Sequence, residues 1–130
     1  MSTTANKTFV RYYLDAISGR EKTPALLGQF VADEALAQHI ATMEAAFPRY
    51  ELVADDILAE DDKVAVRANF RGTHKGDLAG VAPTQRQVTL PLIIIYRIRD
   101  EKIVEHWLSI DMLSFMQQLG AIPEPTATTH

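Results

Sequence analysis

Asp111 is the residue of this sequence with the clearest potential for chemistry. It closes a segment rich in Val, Ile, Leu and Trp and stands directly before a segment with helical spacing. A carboxylate among apolar neighbours needs a hydrogen-bond partner, solvent or a role. Because apolar burial raises the pKa of a carboxyl, Asp111 could act as a general acid or base on a carbonyl compound. Capping of the helix that follows is the equally weighted structural alternative.

Two further polar residues, His74 and Arg86, flank a loop over residues 75–85 that is marked by glycine and proline. If the loop joins adjacent strands, both residues lie at the end of the sheet that carries Asp111. One of them could then stabilise an enolate oxygen while Asp111 removes a proton beside the carbonyl. A solvated His74 is the structural alternative.

The elements that must position these residues follow from hydrophobic periodicity. Apolar residues at helical spacing predict helices over residues 4–18, 25–30 and 34–47. Alternating or β-branched segments predict strands over residues 50–60, 63–74, 86–99 and 102–111, before a last helix over 112–119. Helices that precede a strand meander are typical of an α+β fold. We expect a curved antiparallel sheet with the N-terminal helices packed on its concave face.

The Asp100-Glu101 turn sets the predicted register of the last two strands. A tight hairpin there pairs Leu90 with Asp111, and directly paired residues share a face. The residues predicted to bind a substrate on this concave face, with Arg86 at its mouth, are Phe70, Leu90, Tyr96, Glu105 and Trp107. His106 falls on the opposite face and, like His39, is interpreted as a structural or surface group. A slip of one residue would reverse these faces.

The long strand over residues 86–99 is apolar on both sides through its middle, so both faces of the sheet need covering. The helices can cover only one of them. The other face is predicted to carry Ile93, Ile95, Leu108 and Ile110. It is therefore a candidate homodimer surface.

Length and composition narrow the class of protein. The 130 residues predict a single domain over 1–122 and a disordered tail over 123–130. A net charge of -4 without a basic run argues against nucleic-acid binding, and the absence of cysteine excludes disulfides and thiolate metal sites. Metal-ligand spacings, hydrolase elbows and phosphate-binding loops are also absent from the sequence. Without a membrane span or signal peptide, we expect a cytoplasmic protein.

Two stretches carry short motifs whose order and spacing resemble a known family. They are AAFPRYELVADDILAEDDKVAVRANFRGTHKGDLAGVAPT, residues 45–84, and KIVEHWLSIDMLSFMQQLG, residues 102–120. The family is that of the SnoaL-like polyketide cyclases in the nuclear transport factor 2-like superfamily. The resemblance implies a cone-shaped α+β barrel, usually dimeric, with a pocket inside the cone and no metal or organic cofactor. Asp111 matches the family's acid–base Asp in an intramolecular aldol ring closure, and His74 matches a pocket-lining His.

The sequence departs from the family pattern between the second and third helices. Members usually carry a short strand with a D-x-x-x-H-like segment there, whereas residues 30–33 run almost directly into the third helix. The primary prediction is an enzyme of cyclase or isomerase type that acts on a hydrophobic carbonyl compound. The alternatives are a non-catalytic small-molecule binding or carrier protein, which the missing segment favours, and a dimerisation module whose cup is filled by side chains.

Overall fold

Residues 2–121, the part of the chain that the computed structural model describes, form four helices and four strands. In chain order they are α1 (Thr3–Ile17), α2 (Pro24–Gly28), α3 (Glu34–Ala46), β1 (Glu51–Glu60), β2 (Lys63–Thr73), β3 (Gln87–Arg99), β4 (Lys102–Ile110) and α4 (Met112–Leu119). The predicted elements are confirmed to within a few residues at their ends. The tail predicted over 123–130 lies outside the described residues.

The helices begin and end at residues suited to those positions. The Leu26 N–H donates to the Thr23 hydroxyl at 3.2 Å and the Leu36 N–H donates to the Asp33 carboxylate at 3.2 Å. These bonds satisfy backbone donors that the first turn of a helix leaves free. Gly120 ends α4 with a φ of 79°, a left-handed conformation that glycine adopts without a Cβ penalty.

The four strands form an open, curved antiparallel meander in the order β1-β2-β3-β4. Phe70 pairs with Leu90 as predicted, and the inward side chains of β2 are buried in alternation with polar outward ones. The helices pack on the concave face, so the predicted α+β architecture is confirmed. The largest fully buried side chains of this core are Tyr13, Tyr96, Phe47, Ile17, Leu36, Leu90, Ile103, Leu119 and His74.

A β-bulge in β4 corrects the predicted register of the last hairpin. Ile98 pairs with Ile103, but Arg97 pairs with Glu105, so Val104 is an extra residue on β4. The side-chain period of a strand is two residues, and one extra residue therefore exchanges the two faces beyond the bulge. The predicted placement of Glu105, Trp107 and Asp111 on the concave face is wrong for this reason.

The same shift changes the predicted outer face. Leu108 and Ile110 pair with the inward-facing Ile94 and Leu92, so they belong to the concave face and not to the predicted dimer surface. His106 also turns inward, opposite Tyr96. The exposed apolar residues that remain on the outer face include Val53, Ile93 and Trp107.

Candidate active site

An apolar cavity of ≈ 90 Å³ lies between the concave face of the sheet and helices α1 and α3. Aliphatic and aromatic side chains dominate its walls. Among the described residues that line it, His39 is the one histidine. The lining residues are Tyr13, Ile17, Leu36, His39, Ile40, Met43, Tyr50, Leu52, Phe70, Leu92, Ile94, Tyr96, Leu108, Ile110 and Met112. The cavity is therefore the candidate site for a hydrophobic ligand.

His39 lies at the mouth of this cavity. It follows Leu36 by three residues and precedes Met43 by four on α3, so the three share the face that meets the cavity. His39 is exposed to solvent as a residue. Nearby protein atoms nevertheless shield part of its imidazole from water, which disfavours the charged imidazolium form. That desolvation, with the nearby His106, lowers the pKa of His39 from its usual value of 6.5. His39 thus presents a neutral imidazole to the cavity near neutral pH.

Asp33 and His106 form a partly buried ion pair beside the cavity. His106 Nδ1 lies 2.7 Å from Asp33 Oδ2, and the two side chains are 17% and 12% exposed. Burial on its own would raise the pKa of Asp33, but the hydrogen bonds from His106 and from the Leu36 N–H outweigh it and lower that pKa. Asp33 is therefore an ionised acceptor near neutral pH, which places a proton on His106 Nδ1.

Three buried tyrosines are among the residues that line the cavity. Burial raises the pKa of Tyr13, Tyr50 and Tyr96 above that of a free phenol. The rings of Tyr13 and Tyr96 meet edge to face, with centroids 5.8 Å apart. All three phenols are neutral at physiological pH and can donate a hydrogen bond to a carbonyl oxygen.

Asp111 lies at the rim of the cavity but its carboxylate is engaged elsewhere. It is exposed, and its Oδ1 accepts a hydrogen bond from the Ser114 N–H at 3.0 Å, which caps α4. Its chain neighbours Ile110 and Met112 both line the cavity. Its own side chain borders a groove on the outer face that also includes Ser109. The capping alternative is thus realised, while the catalytic role of Asp111 stays a prediction.

His74 is buried rather than solvated. The Thr84 N–H donates to His74 Nδ1 at 3.2 Å, and the ring stacks on Phe47 with centroids 5.3 Å apart. Its Nε2 has no hydrogen-bond partner among the described residues. His74 therefore joins the loop over residues 75–85 to the core. It is not one of the described residues that line the cavity.

Arg86 and Asp111 lie at opposite ends of α4, so the predicted cluster at the mouth does not form. A Cβ on Gly120, which follows the last turn of α4, would lie 2.9 Å from Arg86 Cζ. Asp111 caps the first turn, and at about 1.5 Å per residue the eight residues of α4 separate the two by roughly 12 Å. In this arrangement Arg86 and Asp111 do not belong to one polar cluster.

The predicted wall residues divide between the two faces of the sheet. Phe70 and Tyr96 line the cavity. Leu90 is buried in the core and is not one of the described residues that line the cavity. Glu105 forms an ion pair with Arg97 on the outer face. Trp107 is 42% exposed there, with the Arg97 guanidinium 5.4 Å from the centre of its ring. The predicted contact of Glu105 and Trp107 with a ligand in the cavity is therefore not supported by their placement.

Asp33, His39 and His106 are the polar residues of the site that sequence reasoning missed. The spacing of His39 with Leu36 and Met43 was an available signal, because it places an imidazole on the apolar stripe of a helix. The contact between Asp33 and His106 was not available, since it joins residues 73 positions apart. It depends on the segment before α3, where Val31 forms a parallel bridge to Ile103.

The described residues offer neither a metal-binding cluster nor a membrane-spanning helix. Within residues 2–121, no three His, Asp or Glu side chains come together in a way that could hold a metal ion. None of the helices in the described part of the chain has the length and apolar character that a membrane crossing requires.

Solved structures similar to this chain share its fold over almost its full length. AclR from Streptomyces galilaeus, a proposed hydroxylase, is 27% identical with a TM-score of 0.82, covering 97% of this chain and 87% of AclR. IdmH from Streptomyces antibioticus, a proposed polyketide cyclase, is 25% identical with a TM-score of 0.72, covering 88% of this chain and 98% of IdmH. A SnoaL-like protein from a Jannaschia species is 23% identical with a TM-score of 0.80, covering 93% and 95% of the two chains.

No functionally curated protein matches the chain at a significant level. The family model for SnoaL-like polyketide cyclases matches residues 9–119, which is nearly all of the described chain. Together with the open curved sheet, this match identifies the chain as a member of the SnoaL-like polyketide cyclase family.

Proposed function

We propose that this chain is an enzyme of cyclase or isomerase type that moves a proton beside the carbonyl group of a hydrophobic compound. The observation that carries this proposal is the apolar cavity on the concave face, which is lined by the ionisable imidazole of His39 and by Ile110 and Met112, the two chain neighbours of Asp111. Membership of the SnoaL-like polyketide cyclase family supports it. So does the similarity to IdmH, a proposed polyketide cyclase.

The cavity offers what such a reaction needs from a protein. Its apolar walls exclude water, so hydrogen bonds and charges act more strongly on a developing enolate than they would in solution. Neutral tyrosine hydroxyls such as that of Tyr50 supply hydrogen-bond donors for the enolate oxygen. Asp111 is the proposed acid–base group at the rim. His74 and Arg86 are proposed to act indirectly, by holding the loop over 75–85 and the end of α4.

The volume of the cavity limits how a substrate can enter. Sites for drug-sized ligands have volumes of roughly 300–1,000 Å³, and this cavity measures ≈ 90 Å³. A compound as large as a polyketide therefore inserts only its reacting end unless the rim opens. Met112 lines the cavity and is 54% exposed in the first turn of α4. Its flexible side chain is the group best placed to move aside.

A non-catalytic binding or carrier protein is the second candidate function. The observation that favours it is the hydrogen bond from the Ser114 N–H to Asp111, because this bond engages the side chain in capping α4 and holds it against the helix end. A carrier would use the same cavity and leave its ligand chemically unchanged.

Hydrogen exchange in D₂O separates the two functions. Native mass spectrometry of the purified protein, followed by denaturing extraction, identifies any copurified carbonyl compound. The extracted compound, or 2-tetralone where none is found, is then incubated with protein in D₂O, and deuterium uptake beside the carbonyl is followed by mass spectrometry. We expect the wild-type protein to accelerate uptake and Asp111→Asn to slow it by about 10²-fold or more.

The matched control is Asp15→Asn, which removes an exposed carboxylate on α1 far from the cavity. Asp15→Asn should exchange at the wild-type rate. An unchanged rate in Asp111→Asn would remove Asp111 from the reaction. Ligand binding without any accelerated uptake by the wild-type protein would establish the carrier function instead.

A further inference from the structure

The family resemblance assigns roles to Asp111 and His74. It assigns none to a second polar cluster near the cavity, formed by Asp33, His39 and His106. His39 reaches the cavity from α3, and the Asp33–His106 pair joins the start of α3 to the inward face of β4. Asp33 precedes α3 as its N-cap, and His106 lies two residues before the cavity-lining Leu108 on the same side of β4. The Asp33 carboxylate binds His106 and the Leu36 N–H.

Asp33 is held from two sides, which fixes the orientation of His106. One carboxylate oxygen accepts from the Leu36 N–H at 3.2 Å and the other lies 2.7 Å from His106 Nδ1. A carboxylate that binds one ring nitrogen determines which tautomer the imidazole adopts and prevents the ring from rotating. The second nitrogen, Nε2, then stays available to a ligand. The β-bulge at Val104 is what turns this imidazole towards the concave side of the sheet.

A structural interpretation of this cluster is the simpler alternative. On that reading the Asp33–His106 pair only attaches α3 to β4, and His39 is a surface side chain next to apolar neighbours. It does not explain why an imidazole lines a largely apolar cavity near a second imidazole that a carboxylate holds in place. Two neighbouring titratable groups in different environments are the arrangement that acid–base enzymes use to divide their roles.

We propose that His39 is a further catalytic residue of the cavity, acting as the base, and that His106, positioned by Asp33, donates a hydrogen bond to the oxygen of the reacting carbonyl. This inference rests on the proposed function and adds His39 and His106 to Asp111 as groups that perform it. The reactive class it fits is a ketone with a hydrogen on the neighbouring carbon.

The step is balanced without a co-reactant. A C–H bond beside the carbonyl breaks, and its proton binds the free nitrogen of His39. The electron pair of that bond forms the C=C bond of the enolate, while the carbonyl π pair moves to oxygen, where His106 N–H donates. In an isomerisation the proton returns from His39 to carbon. In a ring closure the enolate carbon bonds to a second carbonyl carbon, and the proton passes to the new alkoxide.

The test uses 2-tetralone as the probe in D₂O, with its binding followed separately by ligand-observed NMR. His39→Gln keeps a polar side chain of similar size but removes the base, so we expect exchange at saturating probe to slow by about 10²-fold or more while the dissociation constant stays within a few-fold. Gln38→Ala, the preceding exposed residue on α3, is the matched control and should exchange at the wild-type rate.

Asp33→Asn tests the positioning role. Asparagine caps a helix about as well as aspartate but lacks the charge that pairs with His106, so the variant should fold with a lower midpoint of thermal unfolding, and exchange is compared at a temperature where both proteins are folded. We expect a lower exchange rate at saturating probe with an unchanged dissociation constant. A purely structural pair would leave both quantities unchanged.

The outcomes separate this inference from the proposed function. Wild-type exchange that persists at full rate in His39→Gln overturns the inference and leaves the enzyme function standing. Binding of 2-tetralone by the wild-type protein without exchange overturns both the inference and the enzyme function in favour of a carrier. Absence of both binding and exchange contradicts the cavity as a site for ketones of this class.

Discussion

At the scale of a residue, Asp111 combines an observed structural role with a proposed catalytic one. As the N-cap of α4 it accepts the Ser114 N–H, and as the residue between Ile110 and Met112 it lies at the rim of the cavity. A general base must release such a bond, or share it, when it takes a proton. The structural and the catalytic contributions of Asp111 therefore have to be measured separately.

Two substitutions of Asp111 separate these contributions. Asp111→Asn keeps a capping oxygen and should unfold with a free energy close to that of the wild-type protein. Asp111→Ala loses the cap and should be less stable by about 1 kcal/mol, as measured by urea denaturation. Equal stability of the two variants would mean that the cap contributes nothing, and Ser109→Ala, at a neighbouring exposed position, serves as the control.

The lowered pKa of His39 predicts that the free energy of unfolding decreases as the pH falls below neutral. The pKa of His39 is lower in the folded chain than its usual value of 6.5, which applies to the unfolded chain. As the pH falls, the unfolded state therefore takes up the proton first. Stability is therefore complete above about pH 6.5, decreases below it, and levels off once the pH lies below the folded pKa. His39→Gln should show a smaller loss of stability between pH 7.5 and pH 5 than the wild-type protein, in urea titrations at both values.

Asp33 acts in the same direction at lower pH. Its depressed pKa stabilises the folded chain above the usual pKa of a carboxyl, and this contribution is lost as the pH falls through the folded value. The two residues can thus be distinguished, because His39→Gln alters only the upper part of the pH profile. An identical profile in His39→Gln and in the wild-type protein would contradict the crowded environment described for His39.

At the scale of the elements, the loop over residues 75–85 depends on one buried imidazole. His74 accepts from the Thr84 N–H and stacks on Phe47, which in turn packs against Phe115 of α4. His74→Ala should lower the free energy of unfolding by roughly 2–3 kcal/mol, because it leaves a cavity and an unsatisfied backbone donor. Amide hydrogen exchange at Thr84 and Gln85 should accelerate as the loop detaches. Lys75→Ala, at the exposed neighbouring position, should change neither quantity.

The elements themselves could be predicted from the sequence, but the register of β4 could not. The turn at Asp100-Glu101 was visible, and its positive φ angles of 51° and 57° match a two-residue hairpin. The bulge follows Ile103, whose N–H donates to Phe30 O and whose carbonyl accepts from Ala32. This pairing comes from a distant segment, so the local alternation of β4 carried no sign of it. The candidate site changed with the register, because the bulge decides which side chains face the cavity.

At the scale of the whole molecule, the α+β architecture and most of the core followed from periodicity. The alternation of β2 and the apolar stripe of α3 placed Val66, Phe70, Ile40 and Met43 inside, and all four are buried. These patterns are local and repeat over many residues, so a single irregularity does not disturb them. The site depends on a few long-range contacts, and for that reason it was predicted less well than the fold.

The outer face of the sheet predicts how two chains associate. Ile93 on β3 is 51% exposed, Val53 on β1 is 39% exposed and Trp107 on β4 is 42% exposed, so apolar side chains remain on a face that the helices do not cover. We expect light scattering to give the mass of two chains of 14.5 kDa each, and Ile93→Lys to shift it towards one chain. Tyr12→Lys, at an apolar position on α1 that is 67% exposed, should leave the mass unchanged. A wild-type protein that stays monomeric at high concentration would contradict this use of the outer face.

The extra residue Val104 has a consequence for how relatives of this chain can diverge. Beyond the bulge, the choice between His106 and Trp107 as the inward side chain is made by the number of residues after the turn and not by their identity. Loss or gain of a single codon at this point would turn the rest of the strand inside out. One genetic event could therefore exchange an imidazole for an indole on the concave face of the sheet, a change that successive point substitutions would reach only through several intermediates.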